Sequence, residues 1–306
     1  MFPNINPSSN LFLANLQTIQ NRMSTDEQQL TSGLKVSVAS DAPDQISEIL
    51  QVRAQIAGVQ QTQENLATVG PRVTSAETAI QQSIQLLDTA TTLATGASGS
   101  TETAAQRADS VPQVQAILEQ LVSLSQTAVN GTYVFSGDQS TQPSYSVNPA
   151  NGNGVNQLTQ PGPPAQVNDA NGVPFSTGLT AQQIFDDRNS NGSYASDNVF
   201  AAVTGLLNGL QTNSATAIQQ ALTNIQAAST HLNNESSFYG GVQNTITAAN
   251  TSASQMLVTL QQQLSSKQDA DVTSVALDLT SAQTNEQAAM SAAATLKPTS
   301  LFSYLG

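Results

Sequence analysis

Few residues in this chain have the chemistry of a metal site, and the best-spaced group begins at Asp187. Asp187, Asn189 and Asn191 stand at alternate positions and Gly192 at the sixth, as in the first half of a calcium-binding loop. The twelfth position is Asn198, where such loops carry a glutamate that binds the ion through both oxygens. Because that carboxylate is missing, we interpret the segment as a solvated turn.

A catalytic centre is equally hard to assemble. A hydrolase could use the carboxylates of Asp186 and Asp187, but nothing in the sequence pairs them with a base or a metal. His231 is the only histidine, and Glu235 four residues later favours a surface pair on a helix. Cysteine is absent, which excludes disulfides, thiolate zinc sites and thiol nucleophiles. The sequence therefore predicts no catalytic residue, metal ion or cofactor, and a protein that is not an enzyme.

The charge composition argues against two classes of partner. The net charge is -13, and the 8 lysines and arginines form no cluster that could bind phosphate, so we expect no nucleic-acid partner. No stretch approaches the roughly 18 consecutive apolar residues of a membrane-spanning helix, so we expect no membrane partner. Residues 1–30 also lack the apolar run of a secretory signal, which predicts that no cleaved signal peptide is present.

The elements that must position any functional surface are long helices. One ladder of apolar side chains recurs at seven-residue steps. Its rungs are Val52, Val59, Leu66, Val73, Ile80 and Leu87. Seven residues are close to two helical turns, so the rungs lie along one face of a helix and span roughly 52 Å. Ser40 or Asp41 is predicted to cap this helix, and Pro71 to kink it or to divide it into two helices in tandem. The unbroken heptad phase across Pro71 favours the kink.

A second ladder of the same kind follows later in the chain. Its rungs are Ile218, Ile225, Leu232, Tyr239, Ile246, Ala253 and Leu260. The two ladders match in length, so we expect them to pack on each other as a helical shaft within one subunit. Its predicted core is the first ladder together with Ile218, Ile225, Leu232, Ile246 and Leu260. A further helix, folding back on the first ladder, is predicted by Val114, Ile117, Leu118, Leu121 and Leu124.

Both chain ends carry shorter apolar seams with alternating three- and four-residue steps. The seam residues are Leu13, Leu16, Met23, Leu30, Leu34, Val275, Leu279, Ala282, Ala289, Ala293 and Leu296. These seams could belong to an ordinary intramolecular bundle, but they are short, so a single pair buries little area. We therefore predict that they pack between many copies of the chain. Residues 1 to about 40 and 270–306 are then expected to be mobile in the monomer and ordered on assembly.

The chain changes character between the helical segments. Asn130 and Gly131 are predicted to end the fold-back helix, and Asn-Gly pairs then recur at 151, 153, 171 and 191 among several prolines. Asn-Gly favours hairpin turns, and proline confines strands to short edges. The region is therefore predicted to be a small, turn-rich β module.

These elements together predict a mainly α protein. Both chain ends form an elongated antiparallel bundle of long helices or coiled coils, and a small β-rich domain is inserted between them. An N-terminal assembly helix is predicted at 1–42, and it pairs with a C-terminal assembly helix at 270–306. Between them we predict an outgoing half of the shaft at 43–130, a β-rich outer insert at 131–198 and a returning half of the shaft at 199–269.

Three stretches resemble a known superfamily. Leu30 to Val36, followed by Ala39 to Asp41, is similar to the N-terminal signature shared by bacterial flagellins and hook-filament junction proteins. Gly131 to Gly137 (Gly-Thr-Tyr-Val-Phe-Ser-Gly) resembles the motif that opens the outer domain of the hook-associated protein 3 family, and Leu301 to Leu305 resembles the tail of that family. The resemblance covers roughly residues 10–137 and 199–306.

The resemblance implies a structural subunit that joins the hook of the bacterial flagellum to its filament; the alternative is a short flagellin that forms the filament itself. It adds Leu301, Phe302, Tyr304 and Leu305 to the predicted assembly residues. It implies as partners copies of the chain itself, a neighbouring hook-associated protein, flagellin, and an export chaperone that binds the C-terminal segment Val272 to Leu296. It also implies an extracellular location, reached through the type III export channel.

Overall fold

A computed structural model describes residues 7–99, 102–137, 141–160 and 162–295. The chain forms two compact units: unit 1 comprises Met1–Ala57 and Leu257–Gly306, and unit 2 comprises Gly58–Met256. Helices occupy the described residues near both ends of the chain, and small antiparallel sheets lie between them in sequence. The protein is therefore mainly α with a β-rich insert, as predicted.

Unit 1 contains α1 (Pro7–Ser32), α7 (Val272–Thr295) and the adjoining ends of α2 (Ile46–Ala97) and α6 (Ala215–Gln268). α1 ends before Gly33, which has a φ of +70° and donates its N–H to the Gln29 carbonyl at 2.8 Å. This left-handed conformation is the usual glycine cap of a helix C-terminus. The Ala270 N–H then donates to the Gly33 carbonyl at 2.9 Å, which holds the end of α1 close to the start of α7.

The segment between α1 and α2 corrects one prediction, because α2 begins only at Ile46 and neither Ser40 nor Asp41 caps it. Asp41 Oδ2 instead accepts the N–H groups of Val38 at 2.9 Å and Ser37 at 2.8 Å. These bonds satisfy donors of an extended segment that would otherwise lack partners, and they lower the pKa of the Asp41 carboxyl. α2 begins later, at Ile46, whose N–H donates to the Ala42 carbonyl at 3.0 Å.

α2 and α6 contain the two predicted ladders, and every rung of both ladders is buried. α2 passes through Pro71 as one helix, so the alternative of two tandem helices is wrong. Pro71 removes one backbone donor, and the packing of the neighbouring rungs Leu66 and Val73 compensates for that local cost.

Polar side chains set the register of α2 and α6 within unit 2. Gln63 Nε2 donates to Ser254 Oγ at 3.0 Å, and Gln243 Nε2 donates to Glu77 Oε2 at 2.5 Å. The later residue of α2 bonds to the earlier residue of α6, so the two helices are antiparallel. A displaced register would leave these polar groups beside apolar rungs, which favours the observed pairing.

α3 (Ala104–Ser125) is the predicted fold-back helix, and it packs closely on α5 (Val199–Gln211). The apolar face of α3 belongs to the same buried cluster as the ladder rungs of unit 2. Arg107, near the start of α3, is buried and donates to the Ala97 carbonyl at 2.8 Å, the Gly99 carbonyl at 3.2 Å and Asn213 Oδ1 at 2.6 Å. One guanidinium therefore joins the end of α2 to the turn between α5 and α6.

The described residues of the β-rich part of unit 2 form three two-stranded antiparallel sheets and one short helix. Its elements are β1 (Ala128–Val129), β2 (Thr132–Tyr133), β3 (Tyr145–Val147), β4 (Val155–Gln157), β5 (Gln166–Asn168), β6 (Pro174–Ser176) and α4 (Ala181–Phe185). The prediction that Asn130 and Gly131 end the fold-back helix is wrong, because that helix already ends at Ser125. They form the turn from β1 to β2, where two successive positive φ angles of 53° and 75° suit Asn-Gly.

Candidate assembly surface

The face of α7 that packs on α1 is the seam predicted from the sequence. Val275 and Ala282 are buried, and Leu279, Ala289 and Ala293 are half-buried. These positions lie on one face because their spacing alternates between three and four residues. The small alanine side chains allow the axes of α1 and α7 to approach closely. The C-terminal seam is thus covered within the chain.

The matching face of α1 differs in part from the predicted seam. Leu16 and Met23 are half-buried as members of this face, and so are Phe12 and Ile19, which the prediction missed. Leu13, by contrast, is 58% exposed. The sequence supports both faces, since Phe12, Leu16, Ile19 and Met23 also follow four- and three-residue steps. Only the position of α7 decides between them.

Two other members of the predicted N-terminal seam lie near the end of α1. Leu30 is 37% exposed, whereas Leu34 is half-buried beside Asp269, with which it forms an isolated antiparallel bridge. The predicted seam and tail residues near the C-terminus lie outside the described residues; they are Leu296, Leu301, Phe302, Tyr304 and Leu305.

Two polar contacts on the surface align α1 with α7. Gln20 Nε2 donates to Glu286 Oε1 at 3.1 Å, and the Arg22 guanidinium lies 3.2 Å from the Asp278 carboxylate. Both side chains of the ion pair are more than half exposed, so solvent screens the attraction and the pair adds little stability. The two contacts specify the antiparallel register rather than the strength of the helix pair.

The terminal helices α1 and α7 also carry large apolar side chains that remain exposed among the described residues. These are Leu11, Leu13 and Leu30 on α1, and Val272, Leu277 and Met290 on α7, with exposed fractions between 37% and 66%. Single exposed apolar residues are ordinary, but six of them on the two terminal helices leave apolar area available to a partner. We call these six residues the outward set.

A buried carboxylate lies on the inward face of α1. Asp26 is 8% exposed, and its Oδ2 is buried without a hydrogen-bond partner among the described residues. Burying a carboxylate without a donor costs free energy, so Asp26 weakens the packing of α1.

The Gly131–Gly137 stretch anchors the β-rich part of unit 2 to its helices. The ring of Phe135 is fully buried, and its centroid lies 5.6 Å from Phe185 and 6.4 Å from Tyr239, both in edge-to-face geometry. The Phe135 carbonyl accepts the Ala181 N–H at 2.7 Å, which places the start of α4 beside the stretch. Phe135 therefore links α4 to α6 through apolar and aromatic packing.

The last glycine of this stretch has a steric role. Gly137 has a φ of +59°, and an added Cβ would stand only 2.8 Å from the Pro163 carbonyl oxygen. No other residue type fits this approach without movement of the backbone. A glycine is therefore required at this position, because the backbone at Pro163 passes so close to it.

Two models of the bacterial flagellin family match this chain. The N-terminal helical region of bacterial flagellin matches residues 4–140, and the C-terminal helical region matches residues 222–305. Together the two regions cover more than half of the chain, and they contain both α1 and α7. The chain belongs to the bacterial flagellin family. No curated protein sequence matches it significantly.

Solved structures related to the flagellar hook share the fold. A structure described as a flagellar hook-associated protein of Vibrio parahaemolyticus is 18% identical with a TM-score of 0.63, over 75% of this chain and 100% of that one. Flagellar hook-associated protein 3 of Legionella pneumophila is 15% identical with a TM-score of 0.60, over 71% and 98%. FlgL of Xanthomonas campestris is 17% identical with a TM-score of 0.59, over 70% and 99%. At these identities the likeness is one of fold.

Asp186 was considered above as a carboxylate of a hydrolase. In this flagellin-family chain its surroundings give it a structural role instead. Its side chain is fully buried and accepts hydrogen bonds from Tyr145 Oη at 3.2 Å, Asn153 Nδ2 at 2.9 Å, Asn198 Nδ2 at 2.8 Å and the Arg188 guanidinium at 2.6 Å. Burial and the negative charge of Asp186 raise the pKa of Tyr145, which keeps its phenol protonated as a donor. Because protein donors surround both of its oxygens, Asp186 has no room for a substrate.

The segment with calcium-loop spacing is a turn. The Asn189 N–H donates to the Ser193 carbonyl at 2.9 Å, and Gly192 has a φ of +83°. Asn198, at the twelfth position, caps α5 by accepting the Ala201 N–H at 2.8 Å. Within the described ranges, no group of His, Asp and Glu side chains is arranged to hold a metal ion.

His231 connects α6 to the β-rich part of unit 2. Its Nε2 lies 2.9 Å from the Gln183 carbonyl oxygen, and its Nδ1 lies 3.8 Å from Asp197 and 3.9 Å from Glu235. Burial raises the pKa of the Glu235 carboxyl, although the nearby imidazole opposes that shift. The predicted pair of His231 and Glu235 on one helix is present, but both side chains are half-buried rather than on the surface.

Among the helices of the described part of the chain, none is both long and apolar enough to cross a membrane.

Proposed function

We propose that this flagellin-family chain is a structural subunit that joins the hook of the flagellum to its filament and assembles through unit 1. The observation that carries the proposal is the outward set on α1 and α7, in helices that both lie inside the flagellin-matched regions. Neighbouring copies of the chain would cover these side chains. Complete burial of one Leu or Met contributes about 1.5–3 kcal/mol, so a few such contacts per neighbour hold an assembly together.

The proposed roles of the chain segments follow the divisions predicted from the sequence. Residues 1–42 and 270–306 form the assembly helices, 43–130 and 199–269 form the shaft, and 131–198 face solvent as the outer insert. The inward seam residues, such as Val275 and Ala282, hold the assembly helices together within one subunit, while the outward set meets the neighbours.

The choice of a junction role over a filament role rests on fold likeness. The chain spans 98% to 100% of the length of the hook-associated structures described above. The Gly131–Gly137 stretch, with its buried Phe135, supports the same choice. A short flagellin that forms the filament itself is the second candidate, because the two family models describe flagellin.

The proposed partners are copies of the chain, a neighbouring hook-associated protein, flagellin and an export chaperone. The chaperone would bind Val272 to Leu296, where Leu277 and Met290 offer apolar anchors before assembly. Chaperone binding and assembly would then exclude each other, because both cover the same side chains. We further propose that the chain is exported from the cell as a component of the flagellum.

Deletion of the gene, followed by electron microscopy and an assay of the culture medium, separates the two candidate functions. A junction subunit predicts cells with hooks but no filaments, and flagellin released into the medium. A short flagellin predicts loss of the filament with no such released subunit. Cells that keep normal filaments after deletion would contradict both.

A further inference from the structure

A pocket of about 110 Å³ lies inside unit 2, at the place where α2, α6 and the β-rich part meet. Its walls include Val69, Arg72, Ala76, Val134, Leu179 and Tyr239. A single water molecule needs only about 10–15 Å³ of such volume, so the pocket can hold a group of several heavy atoms.

The pocket contains two donors that the chain does not use. The half-buried Arg72 guanidinium makes no hydrogen bond or ion pair with any described residue. The Tyr239 hydroxyl accepts the Leu179 N–H at 3.0 Å, and its own proton has no acceptor among the described residues. Burial raises the pKa of Tyr239, so the phenol remains protonated. Gly178 keeps this hydroxyl open, since an added Cβ would stand 3.3 Å from it.

These donors and walls fit one chemical group. A planar guanidinium pairs with a carboxylate through two parallel hydrogen bonds, and a phenol is also a donor to carboxylate oxygens. The apolar walls formed by Val69, Ala76 and Leu179 suit the methylene groups of a glutamate side chain. The nearest acidic residue along α6, Glu235, faces His231 at 3.9 Å and leaves Arg72 unpaired.

We propose that this pocket receives a carboxylate side chain of an adjoining copy of the chain. The inference rests on the proposed self-assembly and adds a second contact to it, in unit 2. Charge supports the choice of partner: the chain has 21 Asp and Glu against 8 Lys and Arg, so each copy presents many carboxylates and few cations to pair with them.

The test compares assembly of the full chain with assembly of R72Q and Y239F. R72Q should raise the protein concentration needed for assembly at least about tenfold, because truncating one partner of a desolvated charge pair weakens an interface strongly. Y239F should raise it less. The melting temperature of the R72Q monomer should stay unchanged, since Arg72 has no partner within the described chain. Q60E, at an exposed position of α2 in unit 2, is the control that changes the net charge by the same amount. Equal assembly of R72Q and the unmodified chain would overturn the proposal.

Propionate, which has the end group of a glutamate side chain, supplies an independent test of carboxylate binding. Added at fixed ionic strength with chloride as the control, it should inhibit assembly of the unmodified chain but not the residual assembly of R72Q. On the monomer, it should shift the side-chain NMR signal of Arg72 saturably in the unmodified chain, and Y239F should weaken this binding. Absence of saturable binding would overturn the proposal, whether or not the chain assembles. Failure of the unmodified chain to assemble would count against the proposed function instead. Saturable binding with unimpaired assembly of R72Q would overturn the adjoining copy as the source of the carboxylate.

Discussion

The long helices of unit 2 and the terminal helices of unit 1 use similar apolar repeats for different purposes. In unit 2, rungs such as Leu66, Ile80 and Leu232 have no exposed surface, and polar pairs between α2 and α6 set the register. In unit 1, the helix pair buries the Asp26 carboxylate, whose Oδ2 has no hydrogen-bond partner among the described residues, and leaves the outward set exposed.

The difference separates stability from association. A ladder that is fully buried within its own chain has already gained its hydrophobic free energy, so it offers nothing to a partner. A pair of helices that leaves large apolar side chains outside can gain that free energy only from another molecule. Each helix pair can therefore be assigned to folding or to assembly by which side chains remain exposed.

The largest expected effect is on the folding core. Leu66→Ala should lower the free energy of unfolding of the monomer by about 2–5 kcal/mol, because it leaves a cavity in a tightly packed ladder. Leu277→Ala, at a side chain that is 66% exposed, should change it by less than about 0.5 kcal/mol. Chemical denaturation followed by circular dichroism measures both. Similar losses at the two positions would remove the distinction between the helix pairs.

Assembly should respond in the opposite way. Leu277→Ser and Leu13→Ser should each raise the concentration needed for self-assembly about tenfold or more, because each removes an apolar contact that a neighbour would bury. Sedimentation measures this concentration. Leu158→Ser is the matched control, since Leu158 is 49% exposed but lies in unit 2. An equal effect of the control would show that the outward set has no special role.

The buried carboxylate of unit 1 should act as a local destabiliser. Asp26→Asn keeps the shape of the side chain but removes its charge, and should stabilise the packing of α1 by about 1–3 kcal/mol. Native-state hydrogen exchange of α1 amides measures this change. Asp278→Asn, which breaks the exposed ion pair with Arg22, should lower protection by less than about 1 kcal/mol. Lower protection in Asp26→Asn would mean that the carboxylate has a stabilising partner.

Lowering the pH should destabilise unit 1 and stabilise unit 2, and we expect these changes in stability to be the smallest. Backbone donors lower the pKa of Asp41 below its usual 3.8, so the stability it contributes is present above that value and is lost as the pH falls through the folded-state pKa. Burial raises the pKa of Glu235 above 4.5, so unit 2 gains stability as the pH falls through the folded-state pKa towards 4.5. NMR titration of the two carboxyls, with hydrogen exchange of nearby amides, measures both. Glu235→Gln should abolish the gain in unit 2 and leave the titration of Asp41 unchanged.

Much of the fold follows from sequence patterns because heptad spacing and turn chemistry are local. The ladders predicted two long helices, and all of their rungs are buried. The resemblance carried by Leu30 to Val36 and Gly131 to Gly137 pointed to the flagellin superfamily, and the family models match both ends of the chain. The capping role of Asp41 was wrong because its competing backbone partners, Ser37 and Val38, belong to a loop whose path the sequence does not reveal.

The candidate site was less predictable, because a seam shows which residues share a face but not what covers that face. Leu13 and Phe12 belong to overlapping seams on α1, and only the position of α7 exposes the first and half-buries the second. The missing partner of Asp26 and the unused donors of Arg72 and Tyr239 likewise depend on segments far apart in the chain.

The sequence by itself determined the helical ladders, the turn-rich insert and the family, since these depend on the spacing and type of neighbouring residues. Only the tertiary structure decided which apolar residues fold the chain and which remain for a partner. The physical reason is that burial depends on the packing of segments distant in sequence, which local periodicity does not contain.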